Sequence, residues 1–188
     1  MLNIVGLCGS LRAASYNRML MHLAESVMPA SMKLQVAEWR DVPVFDADLL
    51  AKGMPPVVAA VREQVRKADG LLFVTPEYNF SIPGGLKNVI DWLSRGEDQP
   101  LAGKPVAILS ASAGPVGGAR VQYDLRKVML FVNSMTLIKP EVFVGNVASK
   151  FTPEGVCTDE ATRKFVTAQM AAFETWIGAV KRMAAPAA

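Results

Sequence analysis

An open, doubly wound α/β fold on a parallel sheet is what this sequence predicts, and three features predict it. Short runs that are apolar at nearly every position recur along the chain, as strands buried on both faces do. Each is followed by a longer stretch whose apolar residues repeat every three or four positions, the pattern of a helix with one face on a core. This alternation occurs about five times in 188 residues, and right-handed crossovers then cover both faces of a parallel sheet with helices. A domain averages roughly 150 residues, so residues 1–188 are read as one domain.

The elements follow in order. Leu2 to Cys8 is a doubly buried strand stopped by Gly9-Ser10, and a polar loop, Leu11 to Tyr16, comes next. Leu20, Leu23, Ala24 and Val27 form one helical stripe that Pro29 terminates. Lys33 to Ala37 alternates as an edge strand would. Pro55-Pro56 opens a helix whose face is Val58, Val61, Val65 and Ala68, and Asp69-Gly70 closes it. Leu71 to Val74 is a central strand ended by Thr75-Pro76, because the residue before proline is held extended and proline cannot donate to a ladder.

A loop from Pro76 to Gly85 leads into a helix with Leu86, Val89, Ile90 and Leu93 inward and Lys87 paired with Asp91 outside. Pro105 to Leu109 is a fourth strand. Gly114, Gly117 and Gly118 follow it, then a helix with Val121, Leu125, Val128, Met129 and Val132 on its inner face. Ser134 to Ile138 is a fifth strand, and Phe165, Ala172, Phe173, Trp176, Ile177 and Val180 share one side of a last helix, with Ala184 to Ala188 fraying. Trp39 to Met54 and Pro140 to Asp159 are the long irregular connections.

Composition narrows the function. Apolar residues are 51% and charged residues 20%, which excludes disorder and collagen-like repeats. The net charge of +3 comes without a clustered basic face, so duplex nucleic acid is a poor partner. The Arg62 to Lys67 stretch reads as a solvated helix face. With two cysteines, Cys8 and Cys157, and no CxxC, no disulfide framework or zinc site is signalled. Cys8 is expected to be a small buried hydrophobe and Cys157 an exposed loop residue. No apolar run of membrane-spanning length occurs and no basic leader precedes the first strand, so a cytoplasmic protein without a membrane partner is expected. Met19, Met21, Met28 and Met32 read as core and boundary filling, and the lone His22 as a surface residue beside the core stripe.

In such a sheet, ligands bind beyond the carboxyl ends of the strands, where the order reverses. Three loops leave such ends. The first, Gly9 to Asn17, holds Ser10, Arg12, Ser15 and Asn17 around a helix start, a set suited to a phosphate; a simple helix cap would explain only one of them. It has neither GxxxxGK[ST] nor GxGxxG, which disfavours nucleotide hydrolysis and a firmly held dinucleotide and leaves a terminal phosphate, as in FMN. The second, Pro76-Glu77-Tyr78-Asn79-Phe80, continuing to Gly85, offers rings and rigid backbone to a planar ligand, or is a structural loop with Tyr78 and Phe80 in the core. The third, Ser110 to Gly118, brings Ser112 and three glycines to the same end.

Gly9-Ser10-Leu11-Arg12 with Ser15 and Asn17, and the run Thr75 to Trp92, TPEYNFSIPGGLKNVIDW, resemble the NAD(P)H-dependent FMN reductase family, closest to the bacterial chromate and quinone reductases. The likeness extends through Gly117-Gly118-Ala119-Arg120 to Lys139-Pro140-Glu141. It implies a flavodoxin-like three-layer sandwich with strand order 2-1-3-4-5 and non-covalent FMN. Ser10, Arg12, Ser15 and Asn17 would then hold the phosphate, Pro76, Glu77, Tyr78, Asn79 and Phe80 would line the flavin, and Ser112 is a weaker candidate. It also implies NADPH or NADH as reductant and a quinone, flavin, azo compound or chromate as acceptor. Homodimers or homotetramers are implied too, with Arg120, Tyr123 and Glu141 as contact candidates. Phe80 stands where the family often carries tyrosine, which removes any hydrogen bond between subunits from that position. Since a flavin would carry the chemistry, no catalytic acid, base or nucleophile is expected. The readings from other classes are an electron carrier of the flavodoxin kind, which is usually strongly acidic, and a scaffold without flavin.

Overall fold

A computed structural model describes residues 1–184. The apolar runs form β1 (Leu2–Cys8), β2 (Met32–Val36), β3 (Gly70–Thr75), β4 (Pro105–Ala111), β5 (Met135–Thr136) and β6 (Val142–Val144). The helices are α1 (Tyr16–Val27), α2 (Ala47–Ala51), α3 (Pro56–Lys67), α4 (Gly84–Leu93), α5 (Ala119–Phe131) and α6 (Glu160–Ala184). All strand pairs are parallel in the order β2-β1-β3-β4-β5, with β6 also on β4. This is the flavodoxin-like order.

Successive strand side chains point to opposite faces, and the core divides accordingly. Ile4, Leu72, Val74, Ala107 and Leu109 pack with Leu20 and Ala24 of α1 and Val166, Met170 and Phe173 of α6. Val5, Leu7, Leu71, Phe73, Val106 and Ile108 pack with Val61 and Val65 of α3, Leu86 and Ile90 of α4, and Leu125 and Met129 of α5. Lys87 and Asp91 pair at 2.7 Å on the outside of α4.

The fifth strand departs from expectation. Instead of one run from Ser134 to Ile138, only Met135 and Thr136 pair, with Pro105 and Val106, and the chain returns to β4 at Val142–Val144, opposite Leu109 to Ala111. Pro140 has no N–H to give a ladder. Side-chain amides fill the gap: Gln169 of α6 donates to the carbonyls of Ile108 (3.2 Å) and Pro140 (2.8 Å), and Gln122 of α5 donates to Val142 (2.8 Å). The connection expected to be irregular from Pro140 therefore holds a strand and a 3-10 turn, Val147–Ser149, just as Trp39 to Met54 holds α2.

Other residues are also corrected. Arg62 is buried, not solvated. Its guanidinium donates to the carbonyls of Trp92 (3.1 Å), Leu93 (2.9 Å) and Asp98 (2.5 Å), closing the end of α4 that lacks its own donors. Cys157 is buried rather than exposed, its loop folded back by a bridge between Phe151 and Cys157. Phe165 is exposed, because the inward stripe of α6 runs through Thr162, Val166, Gln169, Met170, Phe173, Ile177 and Val180. Met21 and Met32 are in the core and Met19 and Met28 pack against it, as expected; His22 is on the surface beside Glu25. The expected fraying covers Ala184, which ends α6, and residues 185–188, which lie outside the described residues. Among the described residues, no helix is long and apolar enough to cross a membrane.

Arg62→Ala strips three carbonyls of a charged donor, and should cost about 3 kcal/mol. In thermal unfolding this is a Tm roughly 6 to 12 °C lower; an unchanged Tm would refute the capping role.

Candidate functional site

The carboxyl ends of β1, β3 and β4 converge, and the close approach begins at Gly9. A Cβ there would lie 2.2 Å from Thr75 Oγ1, so only glycine lets β1 leave the sheet against β3. The Gly9 N–H donates to Val74 (2.8 Å). The loop that follows is held from outside: the Trp39 indole N–H donates to the Cys8 carbonyl (3.2 Å) and Arg40 donates to the Leu11 carbonyl (2.6 Å). Cys8 is buried, as expected, and burial pushes its thiol up.

Ser15 caps α1, its Oγ accepting from the Asn17 N–H at 3.2 Å. Asn17 is buried, and its carboxamide donates to the Ala111 carbonyl (3.0 Å) and accepts from the Ala111 N–H (2.9 Å). That side chain joins α1 to β4, so its amide already has partners within the chain.

A cavity of about 220 Å³ opens between these loops. It brings together Ser10, Arg12, Ser15, Asn17, Pro76, Glu77, Tyr78 and Ser112, from all three loops singled out in the sequence. Asn79 and Phe80 are not among its lining residues. Four lining residues were missed: Tyr16, Ala111, Ala113 and Val147. Tyr16 was legible as the neighbour of both Ser15 and Asn17, and the Arg12 guanidinium lies 5.7 Å from its ring centre. Val147 comes from the 3-10 turn after β6, whose position depends on the broken fifth strand.

The second loop is a two-residue hairpin. Tyr78 and Ser81 exchange backbone hydrogen bonds at 3.0 and 2.9 Å, and Asn79 and Phe80 between them have φ of 50° and 67°. Tyr78 (50%) and Phe80 (67%) are exposed, so their rings are not core. The Glu77 carboxylate turns toward α5, accepting from Arg120 Nε (2.6 Å) and the Val121 N–H (3.2 Å), while the Arg120 guanidinium lies 3.8 Å from the centre of the Phe80 ring. Glu77 thus anchors the loop to the start of α5, where a carboxylate is favoured by the free N–H groups. In the third loop, Ser112 Oγ donates to Gly114 (3.1 Å), and Gly117, at φ 65°, passes so near Phe143 that a Cβ would meet its backbone at 2.7 Å.

Of the three contact candidates, Arg120 and Tyr123 are exposed, while Glu141 is held in its own chain by Lys139 (2.5 Å) and Arg126 (3.8 Å); the Lys139 ammonium keeps its carboxyl below the usual range. A larger groove of about 720 Å³ runs between α4 and α5 and reaches the second loop at Ser81 and Ile82; Lys87–Asp91 and Lys127–Asp124 are paired within it, and the Arg95 guanidinium lies 5.0 Å from the centre of the Phe45 ring. Among the described residues, no group of three His, Cys, Asp or Glu side chains could hold a metal.

Comparison with known proteins agrees with this arrangement. A family model described as NADPH-dependent FMN reductase matches residues 2–149. A quinone reductase of Escherichia coli K12 is 47% identical over 183 residues, covering 96% of this chain and 97% of the relative. An NAD(P)H-dependent FMN reductase of Pseudomonas aeruginosa is 43% identical, covering 94% of this chain and 95% of the relative. Among solved structures, FerB, a flavoenzyme NAD(P)H:(acceptor) oxidoreductase from Paracoccus denitrificans, superposes with a TM-score of 0.88 at 32% identity, over 95% of this chain and 98% of that one. With its parallel sheet, its three loops at the strand ends and this match along most of its length, the chain belongs to the NADPH-dependent FMN reductase family.

Proposed function

We propose that residues 1–188 act as one FMN-binding domain that oxidises NADPH or NADH and passes two electrons to a small acceptor, a quinone first and a flavin, azo compound or chromate as further candidates. The observation that carries the reading is the small cavity at the ends of β1, β3 and β4, lined from three loops by hydroxyls, a guanidinium and rigid backbone. Its residues fit FMN. Ser10 and Ser15 are buried at the start of α1, and Arg12 points to the same cavity with no acidic partner among the described residues. A helix N-terminus with a free guanidinium is suited to a phosphate.

In this reading Ser10, Arg12 and Ser15 hold the phosphate through side chains. Asn17 fixes the α1 terminus, so that its backbone faces the same charge. Pro76 to Phe80 and Ser112 position the ring system, with Glu77 and Arg120 keeping the hairpin in place. FMN, when bound, supplies the hydride-accepting and electron-donating chemistry itself. The chain supplies distance, orientation and shielding, and His22, on the surface, takes no part in the electron transfer. The exposed Tyr78, Phe80, Tyr123, Leu130 and Phe131 support a homodimer or homotetramer, and two buried unpaired cysteines suit the cytoplasm.

The test is an absorption spectrum of protein loaded with FMN and freed of excess, read after anaerobic NADPH and then after a quinone. Oxidised-flavin bands that bleach and return are expected. Bands that never bleach would make the protein a carrier, and absence of flavin would make it a scaffold. Arg12→Ala should weaken FMN binding by about 1.5 to 3 kcal/mol, a roughly 10- to 150-fold rise in Kd by titration; an equal Kd would remove Arg12 from the site.

A further inference from the structure

Another cavity, of about 490 Å³, borders the first loop at Ala13 to Ser15, and Ser15 lines both it and the candidate phosphate site. Its basic wall is one face of α1. Arg18 and His22 are four residues apart, hence adjacent on the helix surface. Arg18 is half-buried and has no ion-pair or hydrogen-bond partner among the described residues. The facing wall is Pro153-Glu154-Gly155. Gly155, at φ 91°, sits so close to Met19 that a Cβ would lie 3.2 Å from Met19 Cγ. The Glu154 carboxylate is already engaged by Thr152 and by its own backbone, which hold it below the usual range. A free guanidinium and an imidazole above an apolar floor of Met19 and Pro153 suit a phosphate attached to a flat heterocycle, such as an adenosine phosphate.

We propose that this cavity receives the adenosine end of the reductant and that Arg18 recognises its 2′-phosphate, which makes NADPH the preferred donor over NADH. The proposal rests on the flavin reading above. A dinucleotide is longer than FMN, so one whose nicotinamide lies on the flavin ring and which runs along the flavin ends beyond the flavin phosphate, and this cavity adjoins the phosphate site through Ser15. Dinucleotide sites choose by charge: a carboxylate accepts from the 2′-hydroxyl of NAD, whereas an arginine accommodates the 2′-phosphate of NADP. Both residue types are present here. Glu154 is exposed to solvent, which screens its charge, whereas Arg18 is half-buried and unpartnered, so the selection falls to the phosphate. His22, with Glu25 at 3.6 Å, is a supporting donor on the same wall.

The experiment measures KM and kcat of the FMN-loaded protein for NADPH and NADH with one quinone, in wild type, Arg18→Ala and Arg18→Lys. Calorimetric titration of the same proteins with 2′-AMP and 5′-AMP supplies a readout independent of turnover. The expected result is a lower wild-type KM for NADPH and tighter binding of 2′-AMP than of 5′-AMP. Arg18→Ala should raise the NADPH KM by about tenfold or more, abolish the preference for 2′-AMP, and leave kcat and the NADH KM within about twofold; Arg18→Lys should restore part of the loss. Equal changes for NADPH and NADH, or none, would overturn the site while flavin absorbance and NADH oxidation persist. A wild type that keeps no flavin, or oxidises neither dinucleotide, overturns the functional reading itself and this proposal with it.

Discussion

The carboxamide of Asn17 lies buried between α1 and β4 and exchanges two hydrogen bonds with the backbone of Ala111, 94 positions away. Both groups are out of water, so a residue that left either backbone atom of Ala111 without a partner would cost the desolvation of that group. Through this one side chain the start of α1, the end of β4 and the loop carrying Ser112 keep a common geometry. The capping hydroxyl of Ser15, the cavity and the backbone aimed into it all follow from that junction. Gly9 completes it on the other side, since β1 can pass Thr75 only without a Cβ.

The same device recurs where the sheet is incomplete. The fifth position is shared by two short strands, and the β4 carbonyl between them takes its hydrogen bond from Gln169 of α6, while Gln122 of α5 supports β6. Each glutamine leaves its own carbonyl oxygen without a partner. Such buried amides are costly in isolation, yet they replace a ladder that Pro140 cannot provide. The gain is positional. The chain between β5 and β6 is released from the sheet, and the turn after β6 delivers Val147 to the cavity.

Charge organises the loops more than the core. Arg62 closes the end of α4, Glu77 closes the beginning of α5, and Arg120 joins Glu77 to the Phe80 ring. Arg12 and Arg18, by contrast, lie on two adjoining cavities without acidic partners among the described residues. Placed beside the strand-end loops with no carboxylate neutralising them, these two can meet an anion brought from outside.

Hydrophobic periodicity and turn residues, which act over a few positions, determined the strands β1 to β4, the principal helices, the parallel topology and the three loops at the strand ends. Eight of the ten candidate site residues line one cavity for the same reason: a loop leaving a parallel strand has only one end of the sheet to occupy. What tertiary structure decided depends on partners distant in the chain. That Arg62 is buried follows from the carbonyls of Trp92 and Leu93; that Phe165 is exposed follows from the rotation of α6 that seats Gln169 on β4. The Asn17 amide turns inward because Ala111 is there to receive it. The fifth strand breaks because Pro140 cannot donate, and it rejoins the sheet because β4 extends two residues beyond its predicted end, to Ala111. A sequence displays each residue's preference, but where a polar group finds its hydrogen bond is settled only when the chain has closed around it.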